Sequence, residues 1–111
     1  MPADPGVDCP LCPRLVEYRH NLRADEPSWY NSPVPTFGDL LTAELLIVGL
    51  APGVRGANRT GRAFTGDFAG DVLYPTLLAH GLATGQFDAR PDDTLQLKGC
   101  ASTNAVRCVP P

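Results

Sequence analysis

The apolar and polar positions along the chain predict alternating strands and helices. Residues 45–50, Leu-Leu-Ile-Val-Gly-Leu, form a continuous apolar run that is too short for a helix. Such a run predicts a strand buried on both faces, as in a parallel sheet. Helical patterns cover residues 13–22 and 70–80, a weakly alternating run at 101–107 predicts a second strand, and residues 83–96 are a polar connection. Strand, loop, helix and strand make one βαβ unit, so we expect the α/β class.

Prolines mark where the helices can lie. Pro13 suits the first turn of a helix, where its missing N–H costs nothing, and Leu15, Tyr18 and Leu22 then share one face. Pro75 should lie in the first turn of the second helix or kink that helix. The chain has 12 prolines, seven of them in its first 35 residues, which argues against an all-helical fold and predicts turns and extended chain there.

Length and composition limit the classes of function. A chain of 111 residues is the size of one small domain, and 43% hydrophobic residues suffice for a core. No apolar run approaches the ~20 residues that span a bilayer, and residues 1–4 do not resemble a secretion signal, so we expect a cytoplasmic protein. The net charge of -3 indicates no general affinity for nucleic acid. Arg55, Arg59 and Arg62 nevertheless allow a local anion site.

The segment 49–67 follows the predicted strand, at the position where open α/β sheets bind ligands. It matches neither the dinucleotide motif G-x-G-x-x-G nor the P-loop motif. It does contain glycines that let backbone amides approach a ligand, three guanidinium groups, an aromatic ring at Phe64 and a carboxylate at Asp67. An ordered surface loop with solvated arginines is the alternative interpretation.

Four cysteines in a cytoplasmic protein favour metal ligands or buried thiols over disulfides. Cys9 and Cys12 have the Cys-x2-Cys spacing of half a metal-binding knuckle, with two inert thiols as the alternative. If residues 100–108 are extended, steps of roughly 3.3 Å separate Cys100 and Cys108 by about 26 Å, so one ion or cluster cannot bind both. Cys108 is then the better third ligand, Cys100 is a small buried side chain, and a fourth ligand is missing.

Five blocks of sequence carry a resemblance to a known family. They are Cys-Pro-Leu-Cys-Pro-Arg-Leu-Val (9–16), Pro-Val-Pro-Thr-Phe-Gly-Asp (33–39), Gly-Leu-Ala-Pro-Gly (49–53), Asn-Arg-Thr-Gly-Arg-Ala-Phe-Thr-Gly-Asp (58–67) and Thr-Asn-Ala-Val-Arg-Cys-Val-Pro-Pro (103–111). In this order and approximate spacing they resemble the iron-sulfur uracil-DNA glycosylases, and within them the type-5 branch.

The resemblance implies a three-layer α/β/α sandwich on a parallel sheet, here incomplete, and a [4Fe-4S] cluster held by four cysteines. Cys9, Cys12 and Cys108 match three of these ligands. It also implies a monomeric DNA-repair hydrolase that cleaves the N-glycosidic bond of uracil and some other deaminated bases in DNA. The type-4 branch has Gly-Glu-Ala-Pro-Gly in the first motif where this chain has Leu50, which leaves Asp67 as the carboxylate that steers water.

Three side chains suit the chemistry of base excision. Asp67 would stabilise positive charge on the sugar and orient water, or else be a solvated helix-capping acid. Phe64 would stack on the extruded base, and the amide of Asn104 would match the donor and acceptor on the edge of uracil. The alternatives are a core phenylalanine and an asparagine that satisfies backbone groups at the end of a strand.

Backbone amides and basic side chains complete the expected site. Amides of the first motif would hold the base carbonyl or the water; its substrate-binding residues are Gly49, Leu50 and Ala51. The candidates for DNA contact or for stabilising the loop are Asn58, Arg59 and Arg62.

The family pattern continues after Cys-x-Pro-Pro with a fourth cysteine, further strands and a histidine motif. We therefore expect residues 1–111 to be a single partial domain, truncated on its C-terminal side, with the fourth cluster ligand beyond Pro111. Such a fragment should be poorly stable and nearly inactive alone. Two other classes remain as alternatives: a small zinc- or iron-sulfur-binding structural module without catalysis, and an α/β nucleotide-binding protein.

Overall fold

The computed structural model describes residues 4–111 and has the expected α/β character. In chain order its elements are α1 (Pro13–Asp25), β1 (Leu45–Gly49), α2 (Ala57–Thr60), α3 (Phe68–Ala79), β2 (Ala83–Thr84), β3 (Gln96–Leu97) and β4 (Cys100–Asn104). The predicted helices and both predicted strands are therefore present. No helix among the described residues is long and apolar enough to cross a membrane.

Strands β1 and β4 form a parallel pair, which confirms the βαβ unit. The register runs from Leu45 opposite Cys100 to Gly49 opposite Asn104. The second strand thus starts one residue earlier than predicted and ends at Asn104 instead of residue 107. The edge of β4 that faces away from β1 is covered by a loop, in which Phe37 exchanges two backbone hydrogen bonds of 2.8 Å with Ser102.

The prediction that β1 is buried on both faces is wrong for the described chain. Ile47 packs against the core, but Leu46 and Val48 project to the opposite face and are 51% and 55% exposed. Among the described residues β1 pairs with β4 alone, so its second edge is also open. A continuous apolar run indicates that both faces can be buried, but it cannot show which neighbour covers each face.

Helix α3 supplies the core on the covered side of the sheet. Its residues Tyr74 and Leu77 pack with Ala83, Leu95 and Cys100. The buried hydroxyl of Tyr74 donates to the carbonyl oxygen of Ala63 at 2.6 Å, which ties the helix to the preceding loop. Pro75 lies inside the helix and not in its first turn.

The segment predicted as a polar connection contains a small hairpin. In it β2 and β3 pair antiparallel, with Ala83 opposite Leu97 and Thr84 opposite Gln96. The hairpin loop carries Asp93, whose carboxylate is fully buried and accepts two hydrogen bonds from Arg62, at 2.7 and 3.0 Å. A segment of polar composition thus contributes to the core through an ion pair.

The Arg62–Asp93 pair anchors the long loop after β1 to the hairpin. The Arg62 guanidinium lies 4.9 Å from the ring centre of Phe37 and within 6 Å of two further rings, Tyr74 and Phe87. Burial raises the pKa of the Asp93 carboxyl, but hydrogen bonds from Arg62 and from two backbone N–H groups outweigh that effect and bring the pKa down to about 2.

Acid should weaken the fold through Asp93. Because the pKa lies at about 2 in the folded chain against 3.8 ordinarily, the carboxylate stabilises the fold fully above about pH 4, and this contribution is lost as the pH falls toward 2. The expected loss is about 2 kcal/mol of unfolding free energy. Urea unfolding at about pH 5 and pH 2.5, followed by fluorescence of the single tryptophan, Trp29, measures it. Asp93→Asn should lose most of this pH dependence, and an unchanged dependence in that variant would contradict the assignment.

Candidate functional site

The carboxyl ends of β1 and β4 meet at one edge of the sheet, where Gly49 lies opposite Asn104. The chain beyond the strands stays paired there, since Ala105 donates its backbone N–H to the carbonyl oxygen of Gly49 at 2.9 Å. A Cβ atom on Gly49 would lie 2.6 Å from Oδ1 of Asn104 and 2.7 Å from Cζ of Phe64. Glycine is therefore required at this position, and two other predicted site residues, Asn104 and Phe64, both lie close to it.

The side chain of Asn104 is nearly enclosed but free to bind. The residue is 5% exposed. Its amide makes no hydrogen bond to any residue that the structure describes, whereas the buried amides of Asn31 and Asn58 are both hydrogen-bonded. Its amide atoms still reach solvent, since they are not among the fully buried side-chain atoms of the described chain that lack a partner. An unused donor and acceptor at the edge of a parallel sheet indicate a ligand site.

Phe64 is held in an unusual backbone conformation. Its φ angle is +54°, which is uncommon for a bulky residue. The backbone on either side is enclosed, because Ala63 and Thr65 are fully buried. The half-buried ring packs against the core and presents its edge to Gly49. Backbone strain of this kind persists where the surrounding structure enforces it, often at functional sites.

Asp67 is the N-cap residue of α3, but its carboxylate does not cap the helix. It makes no hydrogen bond to any described residue and lies over the turn that follows β1. A Cβ atom on Gly53 would lie 3.2 Å from Oδ2 of Asp67, and one on Gly56 would collide with it. The two glycines thus make room for an exposed, unengaged carboxylate, and the alternative of a simple helix-capping acid is not what the geometry shows.

Leu50 and Ala51 follow Gly49 into the loop. Leu50 is 82% exposed, and its carbonyl oxygen accepts a hydrogen bond from the backbone N–H of Val106 at 3.0 Å. Ala51 is half-buried. The side chain of Leu50 therefore faces solvent beside the site and lacks any polar group that could take part in hydrolysis.

The three basic or amide residues expected to contact DNA differ in exposure. Asn58 is buried in α2 and donates to Oδ1 of Asn31 at 3.1 Å, and Arg62 is buried in its pair with Asp93. Both stabilise the loop, and in this conformation neither reaches the surface. Arg59 is exposed and donates to the carbonyl oxygen of Arg55 at 2.7 Å.

Arg59 lines an open cavity on the surface of the described chain. The cavity has a volume of about 500 Å³, and its walls include Trp29, Thr60 and Arg90. Arg55 lies nearby, with its guanidinium 5.7 Å from the centre of the Trp29 ring. Guanidinium groups around an aromatic ring are suited to the phosphates and bases of a nucleic acid strand.

Cys9, Cys12 and Cys108 line a second cavity of about 250 Å³ with mainly apolar neighbours. Burial raises the pKa of the Cys108 thiol, and the nearby Arg19 only partly offsets that effect. Cys100 is elsewhere: it is buried in the core against α3 and donates its S–H to the carbonyl oxygen of Leu82 at 3.3 Å. The structure thus groups the three predicted ligands and separates them from the fourth cysteine.

Among residues 4–111, no three histidine, cysteine or acidic side chains are close enough to hold a single metal ion. A structural zinc site needs all of its sulfurs at about 2.3 Å from one ion. An iron-sulfur cluster differs because each cysteine binds a different iron, which holds the sulfurs further apart. Three cysteines in a cavity with mainly apolar side chains are a soft donor set of the kind that binds an iron-sulfur cluster.

Comparison with protein families identifies the chain. The family model of the uracil DNA glycosylase superfamily matches residues 35–111, a segment that contains the edge at Gly49 and Asn104, the Phe64 loop and Asp67. The chain belongs to the uracil DNA glycosylase superfamily. The family resemblance deduced from the five sequence blocks is confirmed.

Three similar members of the superfamily are each named type-5 uracil-DNA glycosylase. That of Thermus thermophilus is 50% identical over 109 residues, covering 93% of this chain and 48% of the relative. That of Pyrobaculum aerophilum is 41% identical over 109 residues, covering 95% of this chain and 48% of the relative. That of Mycobacterium leprae is 46% identical over 110 residues, covering 93% of this chain and 47% of the relative. The chain spans about half the length of the curated relatives it matches.

Sequence reasoning missed one residue beside the cysteine cavity of this superfamily member. Arg19 lies in α1 between Leu15 and Leu22, and all three are buried. The sequence contains the signal for this, because positions 15, 19 and 22 lie on one face of a helix. A helix that buries Leu15 and Leu22 therefore also buries position 19. A charged residue on the apolar face of a helix requires a partner.

Proposed function

We propose that this protein is a DNA-repair glycosylase that hydrolyses the N-glycosidic bond of uracil, and of some other deaminated bases, in DNA. The observation that carries the proposal is the nearly enclosed, unengaged amide of Asn104 beside Gly49 and the ring of Phe64. An enzyme that acts on a base must take it out of the stack and hold it by its edge and its face. Membership of the superfamily and the names of the relatives support the same activity.

Base recognition would use complementary hydrogen bonds. The Asn104 amide has one N–H donor group and one carbonyl acceptor, and uracil offers a carbonyl acceptor next to an N–H donor. Phe64 would contact the base face, and the absence of a side chain at Gly49 lets Asn104 and Phe64 both pack close to the end of β1. Backbone N–H groups of the segment Gly49, Leu50 and Ala51 would hold a base carbonyl or the attacking water.

Hydrolysis would rely on Asp67. As the bond between the sugar C1′ and the base nitrogen breaks, its electron pair leaves with the base and the sugar becomes positively charged. A carboxylate close to the sugar stabilises this charge and orients a water molecule, whose oxygen bonds to C1′ while the proton that it gives up neutralises the departing base anion. Asp67 fits the role because its carboxylate is exposed and makes no hydrogen bond within the described chain.

The DNA backbone would contact the exposed guanidinium of Arg59. Arg59 shares its cavity with Trp29 and Arg90, and Arg55 lies against the same tryptophan. Contacts of this type position a nucleic acid strand without reading its sequence. For Asn58 and Arg62 we propose only the loop-stabilising role, because their polar groups are engaged inside the protein.

A [4Fe-4S] cluster would bind at the cavity of Cys9, Cys12 and Cys108. When bound, such a cluster supplies a cross-link between the cysteine knuckle before α1 and the segment after β4. Its fourth ligand would come from outside these residues.

We further propose that the protein acts as a monomer in the cytoplasm.

Residues 1–111 would form part of a larger glycosylase domain. The exposed side chains of Leu46 and Val48 and the open edge of β1 provide a surface for further strands and helices of a three-layer sandwich. The chain's match to about half the length of its relatives supports this view. The 111-residue chain alone should therefore be poorly stable and nearly inactive.

The function is tested by joining the chain to the part of the Thermus thermophilus relative that it does not match; we call this protein the completed chain. The completed chain should release uracil from a labelled oligonucleotide, whereas the 111-residue chain should stay near background under the same conditions. A completed chain that folds but releases no base would refute the proposed activity. Rapid uracil release by the 111-residue chain would refute the partial domain.

Asn104→Ala in the completed chain should lower kcat/KM for uracil release about 100-fold, because two hydrogen bonds to the base edge are lost. The side chain of Asn104 donates a hydrogen bond to no described residue, so the free energy of unfolding should change little. Asn21→Ala, on the exposed surface of α1, is the matched control. Single-turnover kinetics measure the effect, and an Asn104 variant within threefold of the unmodified protein would exclude this residue from base recognition.

A further inference from the structure

The guanidinium of Arg19 is almost completely buried in α1, with the residue 1% exposed. It lies on the helix face that also buries Leu15 and Leu22. Burying a charge is costly unless a partner compensates it. The partners of Arg19 therefore indicate what the residue is for.

Arg19 has no acidic partner within 4 Å among residues 4–111. Its Nη2 donates to the carbonyl oxygen of Cys9 at 3.1 Å, and its Nη1 donates to Sγ of Cys108 at 3.7 Å. Its Nε has no hydrogen-bond partner and is the single buried side-chain nitrogen or oxygen in the described chain for which this is so. Asp8, next to Cys9 in the sequence, is exposed and pairs with Arg23 at 2.9 Å.

These contacts direct an uncompensated positive charge at the cysteine cavity. Arg107, the arginine that lines the cavity itself, pairs with Asp4 and also donates to Oγ1 of Thr36. Its charge is thus already satisfied. Arg19 is left as the buried charge without a negative counterpart, in contact with Cys108 of the cavity that three cysteines line.

We propose that Arg19 is a positioning residue for the iron-sulfur cluster: its guanidinium donates an N–H hydrogen bond to the Cys108 sulfur and supplies the positive charge that balances the thiolate ligands. The proposal rests on the cluster in the function proposed above. Four thiolates and an iron-sulfur core carry net negative charge, which increases on reduction. Hydrogen bonds to ligand sulfurs and a buried positive charge stabilise the more negative state, so Arg19 raises the reduction potential and helps to retain the cluster.

The test uses the completed chain, which would supply the remaining ligand, incubated without oxygen with ferrous iron, sulfide and a reducing thiol. The measurements are iron and sulfide per chain, visible absorbance, the one-electron reduction potential and the rate of bleaching in air. Arg19→Met should make reduction at least tenfold less favourable, about 59 mV for a one-electron step, and should bleach faster. Arg19→Lys keeps the charge but loses the planar donor group, so it should show a smaller change in the same direction.

Arg14→Gln is the matched control, since it removes an exposed arginine from the same helix, two residues from Cys12; it should stay within twofold of the unmodified chain. An unmodified chain that takes up no iron and sulfide overturns both the cluster and the role of Arg19. A loaded chain in which Arg19→Met keeps the original potential and bleaching rate overturns only the role of Arg19. If Arg19→Met does not fold, Arg19→Lys provides the test. A reduction potential and bleaching rate equal to those of the unmodified chain would then overturn the proposal. Uracil release is measured separately and decides the glycosylase activity alone.

Discussion

Asp93→Asn in the completed chain should lower the free energy of unfolding by about 2–4 kcal/mol, the largest effect on stability that we predict. The substitution keeps the shape of the side chain but removes the negative charge that compensates the buried guanidinium of Arg62. The remaining charge would then lie among three aromatic rings without an ionic partner. Urea unfolding followed by Trp29 fluorescence and by circular dichroism measures the loss.

Two further variants separate the buried pair from general charge effects. Asp92→Asn changes the neighbouring acid, which is exposed and lies 3.9 Å from Arg90, and it should change stability by less than about 0.5 kcal/mol. Adding Arg62→Met to Asp93→Asn removes the stranded charge and should recover part of the stability. An Asp93→Asn chain as stable as the Asp92→Asn chain would show that the pair does not hold the loop to the hairpin.

Asp67→Asn should reduce kcat for uracil release by the completed chain about 1000-fold, the largest effect on activity that we expect. Asparagine keeps the size of the side chain but cannot supply negative charge to the sugar. KM should change little, because Asp67 is proposed to act on the transition state and not on base recognition. Single-turnover and steady-state rates of base release measure the two parameters.

The stability of the Asp67→Asn protein is the internal control for that experiment. The Asp67 carboxylate caps no helix and makes no hydrogen bond in the described chain, so its loss should leave the unfolding transition unchanged. Asp71→Asn, an exposed acid in the first turn of the same helix, should keep nearly full activity. If Asp67→Asn and Asp71→Asn lose activity to the same extent, the loss reflects the general negative charge near α3. Asp67 would then have no specific role in the proposed chemistry.

The order of elements was predictable because its signals are local. The apolar run at 45–50, the helical patterns and the second strand each depend on neighbouring residues, and all of them form. The hairpin was missed because residues 83–96 are mostly polar, and part of their contribution to the core depends on Asp93 meeting an arginine 31 positions away. Spacing in the sequence contains no signal for such a pair.

The candidate site was predictable in the same limited sense. Two parallel strands bring their carboxyl ends together, so the approach of Gly49 and Asn104 followed from strand order. The exposure of the arginines did not follow: Arg62 and Arg59 differ by three positions in one motif, yet one is buried and the other lies at the surface. That difference arises because aromatic rings from three separate segments enclose Arg62.

By itself, the sequence determined the α/β class, the superfamily and the residues that line the sheet edge, because these depend on local periodicity and on motifs in order. Only the tertiary structure decided which polar groups are satisfied and which are free. It left the Asn104 amide and the Asp67 carboxylate unengaged, and it directed Arg19 toward the cysteines while pairing Arg62 with Asp93. The physical reason is that burial and hydrogen bonding depend on contacts between distant segments, and these contacts exist only once the chain has folded.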